Sequence, residues 1–167
     1  MSLSGDLTNA YLDGLEFVRD ARVLRGRLPL ARMERLATQL LDVSGTLECT
    51  LKGEQDRDGS RFLLIEVSGN VSVCCQRCLG AMQLPLQIES RLRLMAPGEP
   101  WPDEELEDDE SDAVEAGREM AVLPLVEEEV LLAMPLAPRH GRCEPPAAMD
   151  MDRAPSAFAV LAQLKKH

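Results

Sequence analysis

The sequence predicts an α+β fold: a curved antiparallel sheet or partial barrel with packed helices, a long acidic loop and a C-terminal helix. Three observations carry that prediction. Apolar and polar residues alternate through three stretches between residues 41 and 95, the period of strands that bury one face. Segments punctuated by proline, with apolar residues three and four apart, flank those stretches and read as helices laid over the sheet. Aromatic residues make up only 3 % of a chain that is 45 % hydrophobic. The core must therefore be built from Leu, Val, Ala and Met, and a surface that binds single strands by stacking bases on rings is disfavoured.

At 167 residues the chain suits one principal domain, assigned to residues 1–143. Leu15, Val18 and the stem of Arg22 suggest a short first helix, and Val23 to Leu28 reads as a strand. Pro29 can open a second helix through Ala37. From Leu41 the pattern changes to alternation, with Val43, Gly45, Leu47 and Cys49 set against Ser44, Thr46, Glu48 and Thr50. Residues 53–60, GEQDRDGS, read as a polar loop. RFLLIEVSGNVSVCC follows as one long strand or two joined at Ser68-Gly69-Asn70, and Gln83 to Met95 alternates again. An antiparallel hairpin fits this order, with a cysteine cluster at its turn.

Residues 97–117 read as a mobile acidic loop, since a run of like charge self-repels and buries little. The segment after it is sharply punctuated. Pro124 suits a first helical turn, Glu127, Glu128 and Glu129 favour the positive end of the dipole, Val126, Val130 and Ala133 share a face, and Pro135 stops the helix after Met134. Pro138 keeps the following residues extended, which delivers Arg139, His140 and Cys143 to one place. Residues 144–155 read as a linker. Residues 156–167 read as an amphipathic helix capped by Ser156, with Phe158, Leu161 and Leu164 on one side.

The net charge is −11 and very unevenly placed. Between Pro97 and Val130 fourteen acidic residues face one basic residue, Arg118, so this stretch alone exceeds the net charge and the remainder is slightly positive. A low overall pI is then compatible with a surface that faces nucleic acid. Leu15 to Leu36 holds six arginines against three acids, which reads as a solvated face or as nucleic-acid contacts. No window approaches a membrane span and the N-terminus lacks a signal-peptide pattern, so the expected location is cytoplasmic.

Five cysteines, three of them within residues 74–78, do not resemble the spread of a secreted disulfide scaffold. Two short pairs stand out, Cys75-Gln-Arg-Cys78 and His140-Gly-Arg-Cys143. Two residues between ligands is the spacing at which a tight turn points both side chains at one tetrahedral ion, and four such donors make a closed structural zinc site. The rival reading is a cluster of buried reduced thiols with His140 satisfied by backbone groups. Cys74 faces the opposite side from Cys75, and Cys74 and Cys49 read as small core residues. A redox pair of Cys75 and Cys78 is disfavoured because LGAMQLPL, not a helix, follows. Conventional catalytic motifs are lacking: there is no G-x-S-x-G, no glycine-rich phosphate loop and no H-E-x-x-H.

VCCQRCLGAM (residues 73–82), REMAVLPLVEEEVLLAMPLAPRHGRC (residues 118–143) and AFAVLAQLKKH at the end together resemble the bacterial YceD family, described as large ribosomal RNA subunit accumulation proteins. LDVSGTLECTL and the arginine-bearing N-terminus extend the resemblance more loosely. It implies a cytoplasmic factor in ribosome synthesis without established catalysis; it brings no agreed metal with it, so the zinc reading stands on the spacing alone. The expected function is therefore non-catalytic support of large-subunit ribosomal RNA accumulation, by binding that RNA or a ribosomal protein. Arg19, Arg22, Arg25, Arg27, Arg77, Arg139 and Arg142 are the candidate RNA contacts, and a structural Zn2+ on Cys75, Cys78, His140 and Cys143 is the candidate cofactor. The alternative is a protein-partner adaptor or chaperone that uses the acidic loop and the C-terminal helix.

Overall fold

Residues 3–101 and 112–146 are described by the computed structural model. The chain begins with β1 (Leu3–Asp6), β2 (Tyr11–Leu12) and α1 (Gly14–Arg19). Asp13 starts α1 by accepting the Glu16 N–H at 2.9 Å. Next come β3 (Val23–Pro29), a 3-10 turn at Leu30–Arg32 and α2 (Glu34–Ala37). The long strands are β4 (Thr46–Gln55), β5 (Arg61–Cys74) and β6 (Ala81–Met95), followed by β7 (Asp112–Glu115), β8 (Met120–Ala121) and α3 (Val122–Ala133).

Six strands make one open sheet in the order β1-β3-β4-β5-β6-β7, and β2 pairs with β8 in a second, two-stranded sheet. β3 through β6 are antiparallel, as the alternation predicts. The two outer pairs correct the wholly antiparallel expectation: β1 runs parallel to β3 and β7 parallel to β6. Parallel neighbours need a crossover instead of a hairpin, and the first of these is supplied by β2 and α1.

One face of the sheet alternates Leu47, Cys49 and Leu51 on β4 with Leu63, Ile65, Val67, Val71 and Val73 on β5, all buried. Leu30, Met33 and Leu36 from the helical turns and Val122, Val126 and Val130 from α3 close over that face. Each such aliphatic side chain contributes about 1.5–3 kcal/mol when fully removed from water.

Several expected boundaries move. Pro29 to Ala37 is two short turns, not one helix, because fully buried Met33 takes φ −90° and ψ 84° between them. The alternating residues Leu41 to Gly45 precede β4, whose ladder with β3 begins at Pro29↔Thr46. Beyond Pro29 the chain enters the helical turns after one further bond, Leu30 N–H to Gly45 O at 3.0 Å, and Leu41–Gly45 touches β5 through a single bridge at Asp42↔Ser72 instead of a ladder. β4 instead runs on to Gln55, shortening the predicted polar loop. Arg22 lies beyond α1, and Ala133 is exposed instead of sharing the buried face of Val126 and Val130. Within the predicted acidic loop, 112–115 is β7, Glu99 pairs with Arg61, and residues 102–111 lie outside the described residues. So do most of the predicted linker and all of the predicted C-terminal helix.

α1 crosses β4 at Gly53, where an added Cβ would lie 2.5 Å from the Phe17 carbonyl oxygen and 2.7 Å from the Val18 Cα. Both are backbone atoms and cannot swing aside, so Gly53→Ala must push the helix off the sheet. The expected cost is about 1–3 kcal/mol, read as a lowered urea midpoint, whereas Gly59→Ala lacks any such contact and tests only the turn.

Candidate metal centre

β5 and β6 outrun their neighbours. The β4 ladder ends at Ser68 and the β7 ladder begins at Leu92, so residues 69–86 run on as a two-stranded arm, flanked on the β5 side only by the Asp42↔Ser72 bridge and the Leu41 N–H to Ser72 O bond. Pro85, which has no N–H to give a further strand, is tolerated on this edge. The cysteine turn closes the arm. Cys75 N–H donates to Gly80 O and Leu79 N–H to Cys75 O, each at 2.9 Å, and Leu79 takes φ +59° to complete the reversal.

α3 aims the second pair at this turn. Met134 leaves the helix in an extended conformation (ψ 131°), as the residue before a proline prefers. The chain then reaches the arm, where Gln76 N–H donates to Pro138 O at 2.8 Å. Cys75, Cys78, His140 and Cys143 each present one donor atom, and all four donors lie within 4.8 Å of one another. Cys75 Sγ is 3.7 Å from Cys143 Sγ, and Cys78 Sγ is 3.3 Å from His140 Nδ1. A tetrahedral zinc with ordinary bond lengths would set sulfur atoms about 3.8 Å apart and sulfur and nitrogen about 3.5 Å apart. The donor set fits a metal ion of that kind in type, number and spacing.

Cys75 is also prepared electrostatically. Backbone N–H groups aimed at Cys75 Sγ, that of Cys78 foremost with those of His140 and Arg77, hold its pKa down at about 5. His140 N lies 3.4 Å and Arg77 N 3.5 Å from this sulfur. The thiolate is the ligand form. Cys143 moves the other way, raised by burial and by the sulfurs of Cys75 and Cys78 beside it. Cys49 is an ordinary core thiol, pushed up to about 12 by burial. Cys74 departs from the core reading: it is half-buried on the opposite strand face, with Sγ 3.5 Å from Leu79 O.

The four predicted ligands thus converge, and Arg77, Arg139 and Arg142 stand exposed around them. Arg19, Arg22, Arg25 and Arg27 lie elsewhere. The β3 register places Arg27 opposite Glu48, which in turn lies opposite Ser68, six residues or roughly 20 Å along β5 from the cysteine turn. Arg27 is 3.3 Å from Glu48 and Arg19 2.8 Å from Asp20, while Arg22 rests 5.9 Å from the centre of the Phe17 ring.

Two features of this region escape the sequence reading. Gln76 supplies the backbone link to Pro138, for which the side-chain pattern holds no signal. Glu127, assigned only to the helix dipole, is buried and accepts the Arg35 N–H at 2.8 Å and the Leu36 N–H at 3.0 Å, fixing α3 to α2. Glu128 pairs with the Arg35 guanidinium and Glu129 accepts from Ser90 Oγ. The apolar residues on both sides of this acidic triplet, Leu125, Val126, Val130 and Leu131, are the signal that α3 packs on more than one side.

No helix among the described residues is long and apolar enough to cross a membrane. Compared with known families, the chain matches the model described as Large ribosomal RNA subunit accumulation protein YceD over residues 63–165, a span that includes all four candidate ligands. Neither the curated proteins nor the solved structures contain a match.

Proposed function

The chain belongs to the YceD family, whose model spans more than half of its 167 residues, and from that premise we propose that it is a non-catalytic cytoplasmic factor that binds ribosomal RNA during accumulation of the large subunit. Cys75, Cys78, His140 and Cys143 hold one structural Zn2+, which fastens the arm of β5 and β6 to the segment after α3. The observation that supports this reading is the donor set, four protein ligands around one point beneath exposed arginines. Four protein ligands complete the tetrahedron and leave no position for a catalytic water, so the metal builds a surface instead of performing chemistry. Val71, Val73 and Leu86 seat the arm on the main core, so the clamp serves the turn beyond the last ladder pair at Cys74↔Ala81.

Cross-linking in growing cells, followed by identification of the attached RNA and protein, tests this reading. Large-subunit ribosomal RNA should dominate the attached nucleic acid. Recovery of protein partners alone, with no ribosomal RNA above background, would replace it with the adaptor reading.

A further inference from the structure

We infer that the metal-clamped tip of the β5–β6 arm is an RNA-backbone docking surface, on which Arg77, Arg139 and Arg142 contact phosphates. The inference rests on the reading of the chain as a ribosomal RNA-binding factor and names the surface that does the binding.

Charge distribution is the first support. The two segments that build this end, residues 67–88 and 130–143, contain Arg77, Arg139, His140 and Arg142 but no carboxylate, in a chain with 29 acidic residues. All three arginines are exposed, and none has an acidic partner within 4 Å among the described residues. Among the acids close by, Asp42 is bridged to Ser72 and engaged with Ser44 N and Oγ, and Glu144 is exposed beside Cys143.

Geometry is the second. Each arginine adjoins a ligand or lies between two, so the convergence of the four donors within 4.8 Å brings three backbone positions from two distant parts of the chain onto one small surface. Guanidinium groups match phosphate oxygens bidentately. Holding their attachment points fixed lowers the entropy lost on binding.

The adjoining face is the third. The even-numbered residues of β5 share the sheet face away from the helices, and across the ladder Ser68 stands opposite Gln87 and Ser72 opposite Gln83, with Asn70 between them. Hydroxyls and amides of this kind contact sugars and base edges without adding charge. No aromatic residue lies in either segment, so the contact reads backbone and shape instead of stacking bases.

The test uses the full chain with its metal and two charge-matched variants. One carries Arg77→Gln, Arg139→Gln and Arg142→Gln; the other carries Arg32→Gln, Arg57→Gln and Arg118→Gln, exposed positions away from the arm tip. Affinity for transcribed fragments of large-subunit ribosomal RNA is measured across a salt series, with metal content and melting temperature as checks on folding. The tip variant should lose about tenfold or more in affinity near 0.1 M salt, and its slope of log affinity against log salt should flatten by about 2–3. The control should keep most of its affinity. Binding by the unaltered protein that the tip substitutions leave unchanged would overturn this surface while sparing the RNA reading. Equal loss in both variants would overturn it too, by showing a diffuse charge effect. Absence of salt-sensitive RNA binding by the unaltered protein would overturn both.

Discussion

Removing zinc with a chelator, or replacing Cys143 with serine, is expected to lower the melting temperature by roughly 10 °C and to free the segment after α3 from the arm. On the zinc reading, metal binding and local folding are coupled because the ligands come from two segments, joined in the protein itself by the Gln76–Pro138 hydrogen bond and the contact of His140 N with Cys75 Sγ. The main sheet has its own core of Leu, Ile and Val, so loss of metal should fray the tip without unfolding the whole domain. Purified protein should carry about one zinc per chain, and Cys75→Ser should lose it as Cys143→Ser does. Hydrogen exchange at the Gln76 amide locates the effect, since its protection should collapse while that of the central β4 and β5 amides persists. Metal-free protein whose melting is indifferent to chelator and to both substitutions would remove the zinc from this account.

Glu127→Ala is expected to destabilise the domain by about 2–4 kcal/mol. The side chain is only 5 % exposed, and one of its oxygens accepts two backbone N–H groups at the start of α2. Truncation strands both donors beneath α3 and leaves a void where the carboxylate stood. Buried donors without partners cost about 1–3 kcal/mol, and bonds to a charged acceptor are stronger than neutral ones. Glu127→Gln keeps an acceptor oxygen and should cost about half as much or less. Chemical denaturation of the two variants measures the difference, and the midpoints should fall with little change in slope. A cost equal to that of the exposed Glu54→Ala would show that Glu127 does not hold α2 and α3 together.

Much of the candidate site is legible in the sequence because its information is local. C-x2-C and H-x2-C are turn-sized spacings, and Pro135 and Pro138 constrain the chain that carries the second pair, whatever it packs against. The same holds for β5 and β6, whose alternation over many residues admits one assignment. The short strands at either edge carry no such signal. β1, β7 and the β2–β8 pair span two to four residues each, too few for a period to show, and their pairing depends on which edge the chain meets after a crossover. Leu41–Gly45 makes the converse point, since its alternation is genuine but it meets β5 only at the single bridge Asp42↔Ser72 instead of along a ladder.

The strand-rich core, the arm with its cysteine turn, the stop at Pro135 and the choice of Cys75, Cys78, His140 and Cys143 as side chains that could converge can all be read along the chain, because periodicity and turn spacing are properties of neighbouring residues. Long-range packing had to supply the parallel outer strands, the tie of Glu127 from one helix to another, and the convergence of the four side chains beside exposed Arg77, Arg139 and Arg142, with the N-terminal arginines roughly a strand's length away. Those relations join residues dozens of positions apart, and they are set by the joint burial of the sheet face, which no single segment encodes.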